Sequence, residues 1–284
     1  MKIYWLDYHP AFNRVDIEES NDYERMIELL KSEDSVLKEW SPLPAIYNDN
    51  NRPSDFFGTI EGCLIVSARM KELLSDSNER FEFLPLECQV QCYVLKVLSA
   101  TNCIDVKQSK MKSSPYIRNI FDICEEVAFL EEKVKGYDVF RIKPPGGEGE
   151  INQVFVSEEI QEKIEVNLAG YQLLEIWDST FSWQQKENQF KDMCREVDNA
   201  LVETFDFGKA IKYIEKNKGK QAYSGEWSLK VDDKNEILLG SLQLDGTYSW
   251  INPMFYPPII LGLTWGIKER NKSFLSRLKI GISK

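Results

Sequence analysis

A chain of 284 residues with 43% hydrophobic residues is long enough to bury a sizeable core in one large domain or two small ones, without disulfide or metal staples. Its formal charge of −11 is unevenly spread: residues 1–180 carry 19 Lys and Arg against 33 Asp and Glu, net −14, whereas 181–284 carry 16 against 13, net +3. The acidic portion should repel nucleic acid and attract basic partners. The six cysteines include no CxxC pair, and MKIYWLDYHP lacks the apolar run of a signal peptide. The longest weakly charged stretch, SWINPMFYPPIILGLTWGI, is broken by three prolines and two glycines. No membrane segment is therefore predicted, and a cytoplasmic location is expected.

In chain order, KIYWLDY (2–8) suits an edge or opening strand, NDYERMIELLK (21–31) a short helix, and SPLPAIYNDNNRPSDFFG (41–58) a long loop rich in turn formers. CLIVSARMKELL (63–74) then sets Ser67 between an apolar run and a helical pattern, where a serine is either a nucleophile or a helix cap. The chain supplies its own control ninety residues later. QVFVSEEIQEKIEVNLAGYQLLEIW (153–177) repeats the organisation of CLIVSARMKELLSDSNERFEFLPLE (63–87) without a gap, with Val66/Val156, Ser67/Ser157, Glu72/Glu162 and Leu84/Leu174 identical. The shared apolar spacing is that of a strand, an amphipathic helix and a second strand. One nucleophile is rarely needed twice, whereas every helix start leaves amides that a serine oxygen can accept. Neither serine has the flanking glycines of a nucleophile elbow. Ser67 and Ser157 are expected to be caps.

The paired LIVSARMKELL…FEFLPLE and VFVSEEIQEKI…YQLLEI segments, with CYVLKVLSATNCIDVKQSK (92–110) between them and YDVFRIK (137–143) before the second, carry a family resemblance. Over about residues 1–178 the chain resembles an immunity-protein family of bacterial polymorphic toxin systems, the eleventh in that catalogue and formerly a domain of unknown function. The resemblance implies a cytoplasmic, non-enzymatic protein that binds and neutralises a toxin. It carries no catalytic residues to transfer.

KPPGGEGE (143–150) precedes a strand pattern, not a helix, so it reads as a surface turn and not as a phosphate cradle. Beyond Trp177, residues 183 to about 204 place Phe190, Met193, Cys194, Val197 and Leu201 at helical spacing. FGKAIKYIEKN suggests a second helix, EWSLKV-DDKN-EILLGSLQL a hairpin, and DGTYSW and PPIILGLTWGI further strands. The expected fold is therefore α+β: a domain over 1–178 with internally repeated strand-helix-strand units (63–87 and 153–177), plus a smaller α+β helix-and-hairpin module over 179–284.

Groups for chemistry are scarce. His9 is the sole histidine, and Cys88 and Cys92 have no second pair with which to complete a zinc site. No cofactor or metal is predicted. The tail from Lys268 to Lys284 carries six Lys and Arg against one Glu, but Phe274 is its only stacking aromatic, which disfavours a nucleic-acid groove. Partner-binding candidates are the acidic Glu125, Glu126, Glu131 and Glu132 and the aromatics Trp250, Phe255 and Tyr256 of the proline-rich YSWINPMFYPP. The expected function is stoichiometric binding of a cognate protein toxin, a basic one on charge grounds. Two other classes stay open from sequence: an enzyme using carboxylates or tyrosine hydroxyls of the C-terminal module, and a non-enzymatic adaptor.

Overall fold

Helices and mostly antiparallel sheets are interspersed in the computed structural model, an α+β architecture; it describes residues 1–19, 21–75, 80–113, 119–146 and 151–268. The chain divides into two units, Met1–Trp183 and Gln184–Lys284.

Unit 1 runs β1 (Lys2–Tyr8), β2 (Arg14–Ile17), α1 (Tyr23–Lys31), β3 (Ala45–Asn48), β4 (Phe56–Ile60), β5 (Cys63–Ser67), α2 (Ala68–Leu73), β6 (Phe81–Pro85), β7 (Cys92–Val97), β8 (Ala100–Thr101), β9 (Lys110–Met111), α3 (Ile120–Ile123), β10 (Cys124–Glu126), α4 (Glu131–Val134), β11 (Val139–Ile142), β12 (Val154–Ser157), α5 (Glu158–Asn167) and β13 (Tyr171–Asp178). Two sheets dominate, ordered β4-β5-β7-β6 and β13-β1-β12-β11-β8. In each, the strand before the helix and the strand after it are separated by a third strand antiparallel to both. The registers agree at an offset of ninety. Leu64, Leu95 and Phe83 lie side by side across the first sheet, and Val154, Leu6 and Leu173 across the second. The next row is Ile65, Val94 and Leu84 in one sheet and Phe155, Trp5 and Leu174 in the other. Met70 of α2 and Ile160 and Ile164 of α5 share one buried cluster with Leu64, Leu95, Leu6 and Val154, so both sheets contribute to a common core.

Residues 2–8, expected as an edge or opening strand, form the opening strand but not an edge: β1 takes the interior place that β7 takes in the first sheet, and its Ile3 and Leu6 are buried. The supposed loop 41–58 contains β3, because Ala45–Asn48 pairs with β2. Glu125 and Glu126 fall on β10, which pairs with β9. Gly62, at φ +75°, closes the β4–β5 turn against Asn152, where an added Cβ would come within 2.8 Å of the Asn152 backbone. Residues 76–79 of the first repeat and 147–150 of KPPGGEGE lie outside the described residues, as does the tail beyond Lys268.

After α6 (Trp183–Asn199), unit 2 continues with β14 (Leu201–Phe205), α7 (Phe207–Lys216), β15 (Gln221–Ser224), β16 (Trp227–Val231), β17 (Ile237–Leu242), β18 (Tyr248–Ile251), α8 (Pro258–Leu261) and β19 (Trp265–Lys268). The strands form one sheet ordered β14-β19-β15-β16-β17-β18. Ala210 and Ile214 of α7 pack on Ala222, Leu229 and Trp265, whereas Met193 and Val197 of α6 pack with Leu242, Tyr223 and Tyr248. Ala222 and Tyr223 are consecutive on β15, so the two helices cover opposite faces. Two expectations fail here. The helix predicted to about Thr204 stops at Asn199, because Leu201–Phe205 pairs with β19. PPIILGLTWGI is not a single strand: Pro258 starts a short helix, as proline readily does at a first helical position, and only Trp265–Lys268 is extended.

Candidate functional site

The two repeated serines come with a feature the periodicity did not reveal. Ser67 Oγ accepts from the amides of Arg69 and Met70, at 3.1 and 3.3 Å, and donates to Asp55 Oδ1 at 2.7 Å. Ser157 Oγ accepts from the Ile160 amide at 3.4 Å and lies 3.4 Å from Asp138 Oδ1. Each aspartate carbonyl also accepts from its serine's amide, at 3.0 and 2.9 Å. Asp55 and Asp138 therefore occupy matching places, one residue before β4 and β11. The available signal was an aspartate immediately before a strand in DFF and DVF; its distance from the serine differs between the copies, which hid it.

The first copy is the more elaborate. Asp55 Oδ2 also accepts from the Ala169 amide at 3.0 Å and from Arg69 Nη1 at 3.1 Å, and Arg69 Nη2 donates to the Asn167 carbonyl. This network fixes the start of α2 to the loop after α5. The Ser67 hydroxyl thus caps the start of α2, and the sole imidazole lies elsewhere, His9 Nδ1 accepting from the Ala11 amide.

The acidic candidates occupy two separate elements. Glu125 and Glu126 are exposed on β10, and Glu131 and Glu132 are exposed in the first turn of α4. Lys110 hydrogen-bonds Glu125 and holds its carboxyl below the usual range. Glu125 and Glu126 border a cavity of about 100 Å³ that reaches Leu174 and Glu175 of β13.

The aromatic candidates in unit 2 divide differently. Trp250 lies over Gly240, where an added Cβ would meet its ring at 2.8 Å, and Lys230 Nζ sits 4.0 Å from the ring centroid. Tyr256 packs edge-on against Phe207 at 4.9 Å, and burial pushes its phenol up. Phe255 is 74% exposed, beside the exposed Met254 and Ile259, which sequence reasoning passed over. Of the tyrosines of unit 2, Tyr223 and Tyr248 lie under α6, and burial raises both phenols. Among the described residues no group of three or more His, Cys, Asp and Glu is placed to hold a metal, and no helix is long and apolar enough to cross a membrane.

The Asp55 and Asp138 networks hold the starts of α2 and α5 onto their sheets. Comparison with known families supplies the class: residues 18–178, spanning both repeated segments, match the model of an immunity protein family, Imm11. The chain belongs to that family. No curated protein matches the chain.

Proposed function

We propose that this chain neutralises a cognate toxin by stoichiometric binding, with unit 1 as the recognition body and a basic toxin domain as the partner. Family membership is the observation that carries the reading. The net charge of −14 over residues 1–180 supports the choice of a basic partner, since long-range attraction accelerates encounter and suppresses wrong partners. Glu125, Glu126, Glu131 and Glu132 supply exposed charge for steering, and Phe255 is the aromatic anchor in unit 2 that is open to a partner. On this reading Trp250 and Tyr256 hold the shape of that loop. The protein acts in the cytoplasm without a cofactor, a setting that its six free cysteines suit.

The test is a titration of the toxin encoded beside this gene with purified chain. Protection should rise linearly and reach completion near a fixed molar ratio. Complete protection at a small fraction of the toxin concentration would sink the binding mechanism and point to catalysis.

A further inference from the structure

Strand β18 is the outermost strand of the sheet of unit 2, and among the described residues it pairs only with β17, without a bulge. The direction of its main-chain groups follows from two bonds nearby. Gln243 donates to the Thr247 carbonyl at 2.8 Å, so 243 and 247 face one another, and Leu242 turns its amide the other way, to the Glu226 carbonyl at 2.8 Å. Antiparallel pairs alternate, which makes 241↔249 and 239↔251 bonded pairs of β17 and β18 and leaves 242↔248 and 240↔250 non-bonded. The N–H and C=O groups of Tyr248 and Trp250 therefore point away from β17, to the outer side of the sheet. Such edges are commonly blunted by lysines, inward charges or bulges. This one carries none of them: from Gly246 to Ile267 no residue is charged, the longest such run in the chain. Its length of four residues, with Pro253 soon after, limits what can be added without forbidding it.

The side chains of β18 divide by alternation. Tyr248 and Trp250 share one face, their rings 5.7 Å apart, with Lys230 Nζ 4.0 Å from the Trp250 ring centroid. Ser249 and Ile251 share the other, and both are exposed, Ile251 to 58%. An occupant selected by charge finds nothing on the strand itself to pair with. Two copies of this acidic chain, net −11 each, repel where their charged faces meet, and an uncharged strand is where that repulsion is least. The strand is also complementary to itself. Turned about a two-fold axis at Ser249, it sets Tyr248 opposite Trp250 of the second copy and Trp250 opposite Tyr248 of the second copy, with the outward N–H and C=O groups of all four residues in bonded pairs. Thr247 and Ile251 meet in the same way, so this register uses every residue of β18.

We propose that β18 is a self-association edge: two copies of the chain join through it, antiparallel about a two-fold axis at Ser249, and two six-stranded sheets become one continuous sheet. A two-fold pairing closes on itself and covers the edge of both copies at once. Both edges are already ordered as strands, so little conformational freedom is lost on joining. Self-association through β18 goes beyond toxin binding and does not depend on it.

The test is sedimentation equilibrium of the full chain over a range of concentrations, with amide exchange followed residue by residue by NMR. The mass should rise from 33.1 kDa to twice that value and level off there. Over the same range Tyr248 and Trp250 should exchange about fivefold or more slowly, while Ser249 and Ile251, whose amides β17 already holds, stay unchanged. Ser249→Lys and Ser249→Glu each alter an exposed residue and set like charges opposite one another at the axis, so each variant should be monomeric. Mixed in equal amounts, the two variants should form a dimer again. Slow exchange at Ser228 and Gly240, a bonded pair of β16 and β17, verifies that each variant is folded. A chain that stays at 33.1 kDa throughout, or a mass that keeps growing past the dimer, overturns the self-association edge. So does a dimer that leaves Tyr248 and Trp250 exchanging as before, a dimer that survives both substitutions, or a mixture of the two variants that stays monomeric.

Discussion

Asp55→Ala should be far more damaging than the matching Asp138→Ala, although the two aspartates hold equivalent caps. The Asp55 side chain is 5% exposed and accepts three side-chain or main-chain donors, from Ser67, Arg69 and Ala169, at 2.7 to 3.1 Å. Hydrogen bonds to charged groups contribute roughly 1.5–3 kcal/mol each, and removing one partner from a buried pair costs about 3–5 kcal/mol. Arg69 is 64% exposed, so solvent screening discounts its share. The remaining bonds to Ser67 and the Ala169 amide set an expected loss of about 3–4 kcal/mol on those per-bond figures. The side-chain contact of Asp138 with Ser157 Oγ is longer, 3.4 Å, and losing that contact predicts about 1 kcal/mol. Asp55→Asn, which keeps an acceptor and loses the charge, should fall between them. Urea unfolding read by amide exchange in β5 and β12 measures each locally. Equal losses at the two positions, or a loss below about 1 kcal/mol at Asp55, would refute the argument that the extra donors and burial make the first copy the anchor.

Ser67→Ala should cost about 1–2 kcal/mol and leave toxin binding intact in the folded protein, as measured by denaturation and titration; lost binding in a well-folded variant would contradict the cap role. Burial raises the Asp7 carboxyl above its ordinary 3.8, so the folded state takes up that proton more readily than the unfolded one; its contribution to stability is present below the unfolded value and is lost as pH rises through the folded value. Asp7→Asn should therefore stabilise the protein at pH 7, by no more than about 1 kcal/mol after screening, and the gain should vanish below the ordinary aspartate range when thermal melts are compared across pH. Gly240→Ala should displace the Trp250 ring, visible as a red-shifted tryptophan emission, and an unshifted spectrum would mean that the ring is not held there. Toxin association should slow about tenfold from low to physiological salt while dissociation changes little; stopped-flow rates flat in salt would remove the steering role of the acidic unit.

What was legible in the sequence was whatever repeats locally. The two strand-helix segments share an apolar spacing and a serine at one place, and α7 and the β16–β17 hairpin announce themselves by period and by polar turns. What was missed depends on pairing across the chain. Leu201 continues the helical spacing of α6, and only its pairing with Lys268 makes the segment a strand. Glu125 and Glu126 show no strand periodicity of their own, and only β9, set beside them, makes their segment a strand. Asp55 and Asp138 lie 12 and 19 residues before their serines, distances with no common period, so their joint role became visible only when each strand stood next to its neighbour. For Trp250 and Tyr256, aromatic residues among prolines read alike as anchors or as packing, and the contacts with Gly240 and Phe207 separate them from Phe255.

The interior position of β1 bears on how the chain is made. This strand is made before every other described strand, yet both of its neighbours, β12 and β13, are encoded about 150 residues later. At synthesis rates of about 5–20 residues per second, Ile3, Trp5 and Leu6 wait roughly 8–30 seconds for a partner. The first sheet uses only residues 56–97 and is complete long before then. Its half of the shared core is then a ready surface on which the second sheet can assemble, with the N-terminal strand threaded in last or held by a chaperone meanwhile. During synthesis the chain is thus exposed to aggregation through β1, and anything that restrains this strand meanwhile interferes with the sheet that the end of unit 1 completes.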